Sequence, residues 1–379
     1  MKVPVLLALM LIIGSSASAQ SADSLEQALP QAEGAQKVKI MNELFRAYIN
    51  SDPVKAITYT REALNLAGMV KDDKGMAASY NNLGVAYRNQ GALEVSLENY
   101  VKSLEIYERI QNGEGIATSK NNIANIYSMK KDYHKALKFF EESHAGFVAI
   151  GDPVRIVGSM NNLGNLHADL NMPDQALKYY TEAYKLSEQY KDPFADPLIN
   201  IGNLYFRQGN PQRAVEYYLR ALDLVRKQNN RVAEVSLLTN IGTVYMKANQ
   251  PVPAKEYLDD AMALAKELGA DLYTPQILKG LAGTYARQNN YKAAYETLTL
   301  YDEAEEKVYG EQSSKKIAQM ETALELREKE KEIEALYLNG QMKTLELRNT
   351  QIVVVAVVLG LAAIIAFANL FMISKRKSR

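Results

Sequence analysis

The chain repeats itself about every 40 residues, and this period constrains the fold more than any other feature, because self-similarity at a fixed interval marks an array of stacked supersecondary units. Asn81-Asn82-Leu83-Gly84-Val85-Ala86-Tyr87 returns as Asn121-Asn122-Ile123-Ala124-Asn125-Ile126-Tyr127 and as Asn161-Asn162-Leu163-Gly164-Asn165-Leu166-His167. Shorter echoes stand at Ile201-Gly202-Asn203-Leu204-Tyr205, Ile241-Gly242-Thr243-Val244-Tyr245 and Leu281-Ala282-Gly283-Thr284-Tyr285. The leucine or isoleucine positions 83, 123, 163, 201, 241 and 281 are spaced 40, 40, 38, 40 and 40, and Leu44 with Tyr48 supplies a leading copy 39 residues upstream.

Each copy has a second half at constant offset. A small residue (Ala56, Ser96, Ala136, Ala176, Ala214, Ala254, Ala294) is followed four positions later, in most units, by a bulky one such as Tyr100, Phe140, Tyr180 or Tyr218. Three further on comes a small or aromatic residue, and spacings of four and three place all of these on one helical stripe. Turn chemistry falls between the halves and between the units, as in Gln90-Gly91, Gly151-Asp152-Pro153, Asn210-Pro211 and Gln250-Pro251. Each unit is therefore predicted to be two antiparallel helices. Gly84, Ala124, Gly164, Gly202, Gly242 and Ala282 leave room for the second helix, while the large residues fill the space between units. One unit cannot bury such a face alone; seven stacked over residues 37–308, after a lead-in at 20–36, give an all-α solenoid, a right-handed superhelix with a concave groove.

These residues resemble the tetratricopeptide repeat, in which Leu-Gly and Tyr on a first helix meet Ala, an aromatic and another Ala on a second. Here the unit is longer than the family's usual one, so its helices are expected to be longer by up to a turn.

Successive helical residues rotate by about 100°, so Asn81 stands about 200° from Leu83, as Asn125 does from Ile123. Asn81, Asn121, Asn125, Asn161, Asn165 and Asn203 are accordingly expected to line the concave face, with Asn82, Asn122, Asn162, Asn200 and Asn240 at its flank. A carboxamide donates and accepts, so a ladder of them suits the backbone of an extended peptide with little regard to its sequence. The alternative is that such asparagines bond neighbouring helices and set the angle between units. Some members of the repeat family clamp a terminal carboxylate with Lys or Arg at the slot held here by Asn81, Asn121 and Asn161, so that mode is not expected. Arg88, Arg207, Lys247 and Arg287, near the ends of first helices, remain available to an acidic ligand or to solvent.

Composition narrows the function. With 44 Lys+Arg against 44 Asp+Glu there is no basic excess for nucleic acid, and the chain has no cysteine. Only His134, His144 and His167 are present, His167 occupying a tyrosine slot as a packed substitute. No phosphate loop or metal-ligand spacing appears, so neither catalytic residues nor a cofactor are expected.

The ends read as targeting segments. Lys2, an apolar run from Val3 to Ile13 and Ala17-Ser18-Ala19 have the form of a secretory signal over residues 1–19. Ile352 to Ile373 is 22 residues without a charge, which at about 1.5 Å per residue crosses a bilayer core of roughly 30 Å. The basic tail 375–379 then orients a span at 351–374 with its C-terminus in the cytoplasm and residues 20–350 outside the inner membrane. Between groove and membrane, 309–350 is predicted to be a charged helix, either a solvated stalk or a weak dimeric coiled coil.

The whole is similar to bacterial membrane receptors, common in the Bacteroidetes, in which a secreted tetratricopeptide sensor, a Lys/Glu-rich stalk and one span precede a histidine kinase or a DNA-binding output domain. Asn50-Ser51-Asp52-Pro53-Val54-Lys55-Ala56 and Glu328-Lys329-Glu330-Lys331-Glu332-Ile333-Glu334 carry that resemblance. Only six residues follow Ile373, so any output is expected in a separate chain, met by a peptide or protein ligand on the other side and by self-association or a signalling partner at the stalk. An envelope scaffold that transmits nothing is the competing expectation.

Overall fold

The computed structural model describes residues 22–190 and 193–308, together with 310, 342–343, 345–353 and 359–360. The chain divides into two units, Met1–Lys316 and Ile317–Arg379. The described residues of the second are helical. The expected secretory signal lies outside the described residues, as do the stalk and the span over most of their length. Among the described residues no helix is long and apolar enough to cross a membrane.

The first unit is built from helices alone among its described residues. A short helix α1 (Ala22–Ala28) and a single 3-10 turn (Leu29–Gln31) precede α2 (Gly34–Tyr48) and α3 (Pro53–Val70). The pairs α4 (Asp73–Asn89) with α5 (Leu93–Arg109), α6 (Gly113–Met129) with α7 (Tyr133–Ile150), and α8 (Pro153–Asp169) with α9 (Pro173–Ser187) follow. Then come α10 (Asp196–Arg207) with α11 (Pro211–Lys227), α12 (Arg231–Lys247) with α13 (Pro251–Leu268), and α14 (Thr274–Arg287) with α15 over 291–308. The solenoid anticipated from the period is present, one helix pair per repeat.

Local chemistry fixes where these helices start. Asp52, Asp72, Asn112, Asp132, Asp152, Asn210 and Asn230 each accept the backbone N–H three residues on, at 2.8–3.3 Å, which satisfies one of the open donors of a helix N-terminus. Proline stands in the first turn of α3, α8, α9, α11 and α13, where its missing N–H costs nothing. The turns need one left-handed residue, supplied by Asn171, Asn229, Asn249 and Asn289 among others, a conformation asparagine tolerates better than most side chains.

Packing within a pair depends on the small slot of the first helix. A Cβ built at Gly84 would lie 2.5 Å from the Tyr100 ring, at Gly164 2.4 Å from Tyr180, and at Gly202 2.6 Å from Tyr218. Tyr100 and Tyr218 are at most 2% exposed, so these rings have displaced everything but hydrogen from the facing helix. The tyrosine slot closes the other end of each pair by stacking on the second helix: Tyr48 on Tyr59, Tyr127 on Phe139, Tyr205 on Tyr217 and Tyr245 on Tyr257, with centroids 5.6–6.2 Å apart. His167 joins this series, lying 5.3 Å from Tyr179 at an interplanar angle of 11°.

Consecutive first helices approach one another, α2 with α4, α4 with α6, α8 with α10 and α12 with α14, more extensively than consecutive second helices do. The stack therefore curves toward the first helices, and these line its concave side.

Candidate functional site: the first-helix groove

Opposite the buried leucine the first helices present two rows of side chains, two residues before it and two after it, and most of these are polar. In the row two residues before the leucine, Asn42, Asn81 and Asn121 accept from the amide of the next unit. Asn82 Nδ2 donates to Asn42 Oδ1 at 2.9 Å, Asn122 to Asn81 at 2.8 Å and Asn162 to Asn121 at 2.9 Å. Asn42 also donates to Ser79 Oγ at 3.0 Å, and Ser79 in turn donates to the Gly75 carbonyl at 2.9 Å. Asn81 and Asn121 are half-buried with their carbonyls committed to this inter-unit ladder.

The fourth rung is missing. Asn200 makes no such bond, and Asn161 Oδ1 is buried without a partner. This is where the repeat shortens from 40 to 38 and where α10 has 12 residues against 17 in α8. Beyond it the acceptor row changes to Ile199, so Asn240 has nothing to meet.

In the row two residues after the leucine, Asn125, Asn165 and Asn203 behave differently. Tyr180 Oη donates to Asn165 Oδ1 at 2.7 Å and Tyr218 Oη to Asn203 Oδ1 at 2.5 Å, the tyrosine reaching from the second helix of the same unit past the glycine to the groove floor. Asn165 and Asn203 are exposed, and with their oxygens engaged they turn their NH2 groups to solvent. In α6 the bulky residue is Phe140, which has no hydroxyl, and Asn125 Nδ2 donates instead to the Asn121 carbonyl at 2.9 Å. In α4 the position is Val85, leaving the Tyr100 hydroxyl buried without a partner; burial pushes its pKa up to about 12. The structure thus brings Asn125, Asn165 and Asn203 onto one floor and turns Asn81 and Asn121 toward their neighbouring units, with Asn161 at the break. The periodicity alone does not name the tyrosines as partners; the signal for them is that Tyr at the bulky slot accompanies Asn at the floor in two units, Tyr180 with Asn165 and Tyr218 with Asn203.

The Tyr–Asn pairs give a graded expectation. Tyr180→Phe and Tyr218→Phe each leave a groove asparagine without its donor and should cost about 1 kcal/mol, whereas Tyr100→Phe removes an unpaired hydroxyl and should be neutral or stabilising. Urea titrations of the three variants distinguish them, and an equal loss for all three would contradict the bonding described.

Two histidines lie where protonation is penalised. Burial lowers the pKa of His167, opposed by Glu141 on α7, and lowers that of His144, opposed by Glu182 on α9. His144 Nδ1 lies 2.8 Å from Ser159 Oγ, which itself donates to the Ile156 carbonyl at 2.8 Å, so the imidazole is the donor. A base whose folded pKa is depressed leaves the unfolded chain binding more protons, so stability is full above the ordinary histidine value near 6.5 and falls as pH drops through it toward the folded pKa. Thermal melts should show the midpoint falling below neutrality, and His167→Tyr, which keeps an aromatic ring against Tyr179 without the titrating group, should reduce that dependence.

Among the described residues no cluster of three or more His, Asp or Glu side chains is arranged to hold a metal ion. From α6 to α12 the floor carries amides and a hydroxyl, Asn125, Asn165, Asn203 and Thr243, with Thr118 accepting from Arg155 at 2.8 Å near its edge.

Comparison with known proteins agrees with this architecture. Solved structures of the same fold include a signal transduction ATPase with a tetratricopeptide repeat sensor from Pyrococcus horikoshii, at 18% identity and a TM-score of 0.60 over 76% of this chain and 44% of that one. The apo form of RapI matches at 14% identity and 0.55 over 72% and 99%. The Rap conjugation gene regulator of plasmid pLS20, solved with the Phr* peptide, matches at 17% identity and 0.51 over 73% and 76%. No curated protein matches the chain. The tetratricopeptide repeat model matches residues 75–147, 115–189 and 193–267, which together make up half of the sequence, and the chain belongs to that family.

Proposed function

We propose that this chain is a non-enzymatic, membrane-anchored adaptor. Its solenoid stands outside the inner membrane, holds a peptide or protein partner in the first-helix groove, and serves as the extracytoplasmic input of a signalling assembly whose output is a separate chain. The observation that carries the binding reading is the floor itself: Asn165 and Asn203 present free NH2 groups at equivalent heights in consecutive units, fixed from behind by Tyr180 and Tyr218. A donor whose oxygen is already bound cannot rotate to hide, so it is set for a carbonyl arriving from the groove. The pLS20 regulator, a solenoid of similar fold, is complexed with a peptide, which supports a polypeptide as occupant here. Anchoring rests on the uncharged run from Ile352 to Ile373 and the cations after it.

A photo-crosslinking side chain placed at position 165 or 203 of the full-length protein should capture a polypeptide in the envelope, and the same group at Lys178, on the exposed side of α9, should not. Alanine at Asn125, Asn165 and Asn203 should reduce that capture roughly tenfold. Equal capture from both faces would remove the groove assignment. Exchanging residues 352–373 for an unrelated span separates the two roles, since a tether keeps working and a transducer does not.

A further inference from the structure

From α4 to α14 the last residue of the first helix occupies one structural position, six after the buried leucine or isoleucine, and its chemistry changes along the stack. It is Asn89, Met129 and Asp169 in α4, α6 and α8, then Arg207, Lys247 and Arg287 in α10, α12 and α14. A cation at a helix C-terminus is favoured by the helix dipole. All six helices share that end, however, and only the last three carry the charge, so the dipole does not account for the division.

The three cations also share a contact. Each leans on the preceding unit at the groove margin: Arg207 Nη1 is 3.8 Å from Asp169 Oδ1, Lys247 Nζ stands 4.9 Å over the Phe206 ring, and Arg287 Nε lies 3.5 Å from Met246 Sδ. All three are exposed, and Lys247 and Arg287 have no carboxylate partner among the described residues. Phe206 and Met246 replace the polar or small side chains Arg88, Ser128 and Ala168 at the same position in earlier units. The change coincides with the missing fourth rung between α8 and α10. The trough therefore has a first part over α4 to α8 and, from α10 onward, a second part whose margin sets Phe206 and Met246 beside Lys247 and Arg287, two cations without a carboxylate partner among the described residues.

We infer that this second part binds an acidic segment of the polypeptide ligand, carboxylates meeting Lys247 and Arg287 while apolar side chains rest on Phe206 and Met246. The inference builds on the groove reading above and adds its charge preference. A cation held against an aromatic or thioether surface is already partly desolvated, so less hydration is lost when a carboxylate joins it. Neighbouring helices lie about 10 Å apart and an extended chain advances about 3.3 Å per residue, so acidic residues roughly three apart match consecutive units.

The probe is a fluorescent peptide of about twelve residues repeating Glu-Leu-Ser, compared with Gln-Leu-Ser and Lys-Leu-Ser peptides of the same length. Anisotropy with the full-length chain should show the glutamate peptide binding about tenfold or more tightly than the glutamine one, with the advantage shrinking as salt rises. Substituting Arg207→Gln, Lys247→Gln and Arg287→Gln together should erase that advantage. A control removing as many charges from second helices, Lys138→Gln, Lys178→Gln and Lys266→Gln, should leave it. Glutamate and glutamine peptides binding alike, both weakened by alanine at Asn165 and Asn203, would overturn the charge preference while the groove reading stands. Equal effects of the two triple variants would overturn it as well. If no peptide binds, both readings fall.

Discussion

Gly202→Val is expected to destabilise the solenoid by about 3 kcal/mol and to split its unfolding into two steps. A Cβ at Gly202 would fall 2.6, 2.7 and 3.1 Å from three atoms of the Tyr218 ring, and a branched side chain adds two carbons beyond it. The ring cannot withdraw. Tyr218 is 2% exposed, sits in a continuous apolar cluster running from Ala176 to Leu281, and is tied at its hydroxyl to Asn203. The helices must separate, which opens the cluster and breaks that hydrogen bond. Because each unit touches only its neighbours, damage in the fifth pair weakens the coupling between the pairs on either side of it, and a single cooperative melt becomes two. Combining the change with Tyr218→Ala should cost less than the sum of the two single substitutions, since the second removes the obstacle met by the first. Urea or thermal denaturation followed by circular dichroism reads all three. A loss below about 1 kcal/mol would mean that the small slot does not set the helix approach.

The small slot was legible because a 40-residue period aligns every glycine with every bulky residue sixteen positions later, and sterics need no further information. The roles of the asparagines were only half legible. An angle measured on one helix places Asn81 and Asn125 equally far from the buried leucine, yet they lie on opposite sides of the groove midline. One side faces the next unit and the other faces solvent and the tyrosine behind it. That distinction requires the neighbouring helix, so the sequence could propose a binding ladder and a structural ladder but could not divide the residues between them. The start of the stack was blurred for a related reason. Leu25 in α1 is 3% exposed, packed with Ile40 and Leu44, but α1 stands outside the period and no second copy announced it.

The division of the asparagines makes Asn82→Ala the second large effect, about 2 kcal/mol of stability, where Asn200→Ala should stay within about 0.5 kcal/mol. The two residues hold equivalent places one residue before the leucine or isoleucine of their helices, so propensity and local sequence do not separate them. Their surroundings do. Asn82 is 5% exposed and donates to Asn42, which is itself buried and donates to Ser79 in the same helix as Asn82. Removing the amide takes away the donor at 2.9 Å and leaves the buried Asn42 oxygen only the Ser79 hydroxyl, at 3.1 Å, which also serves the Gly75 carbonyl, so much of the desolvation cost of that oxygen appears. Asn200 is only half-buried and has no rung to lose. Asn42→Ala in the Asn82→Ala background should therefore cost little more, since the under-satisfied oxygen is removed with its side chain, giving a coupling of about 1 kcal/mol in a double-mutant cycle. Additive losses would show that Asn82 acts through packing alone, and that the bonds between units do not depend on matching each donor to an acceptor one repeat earlier.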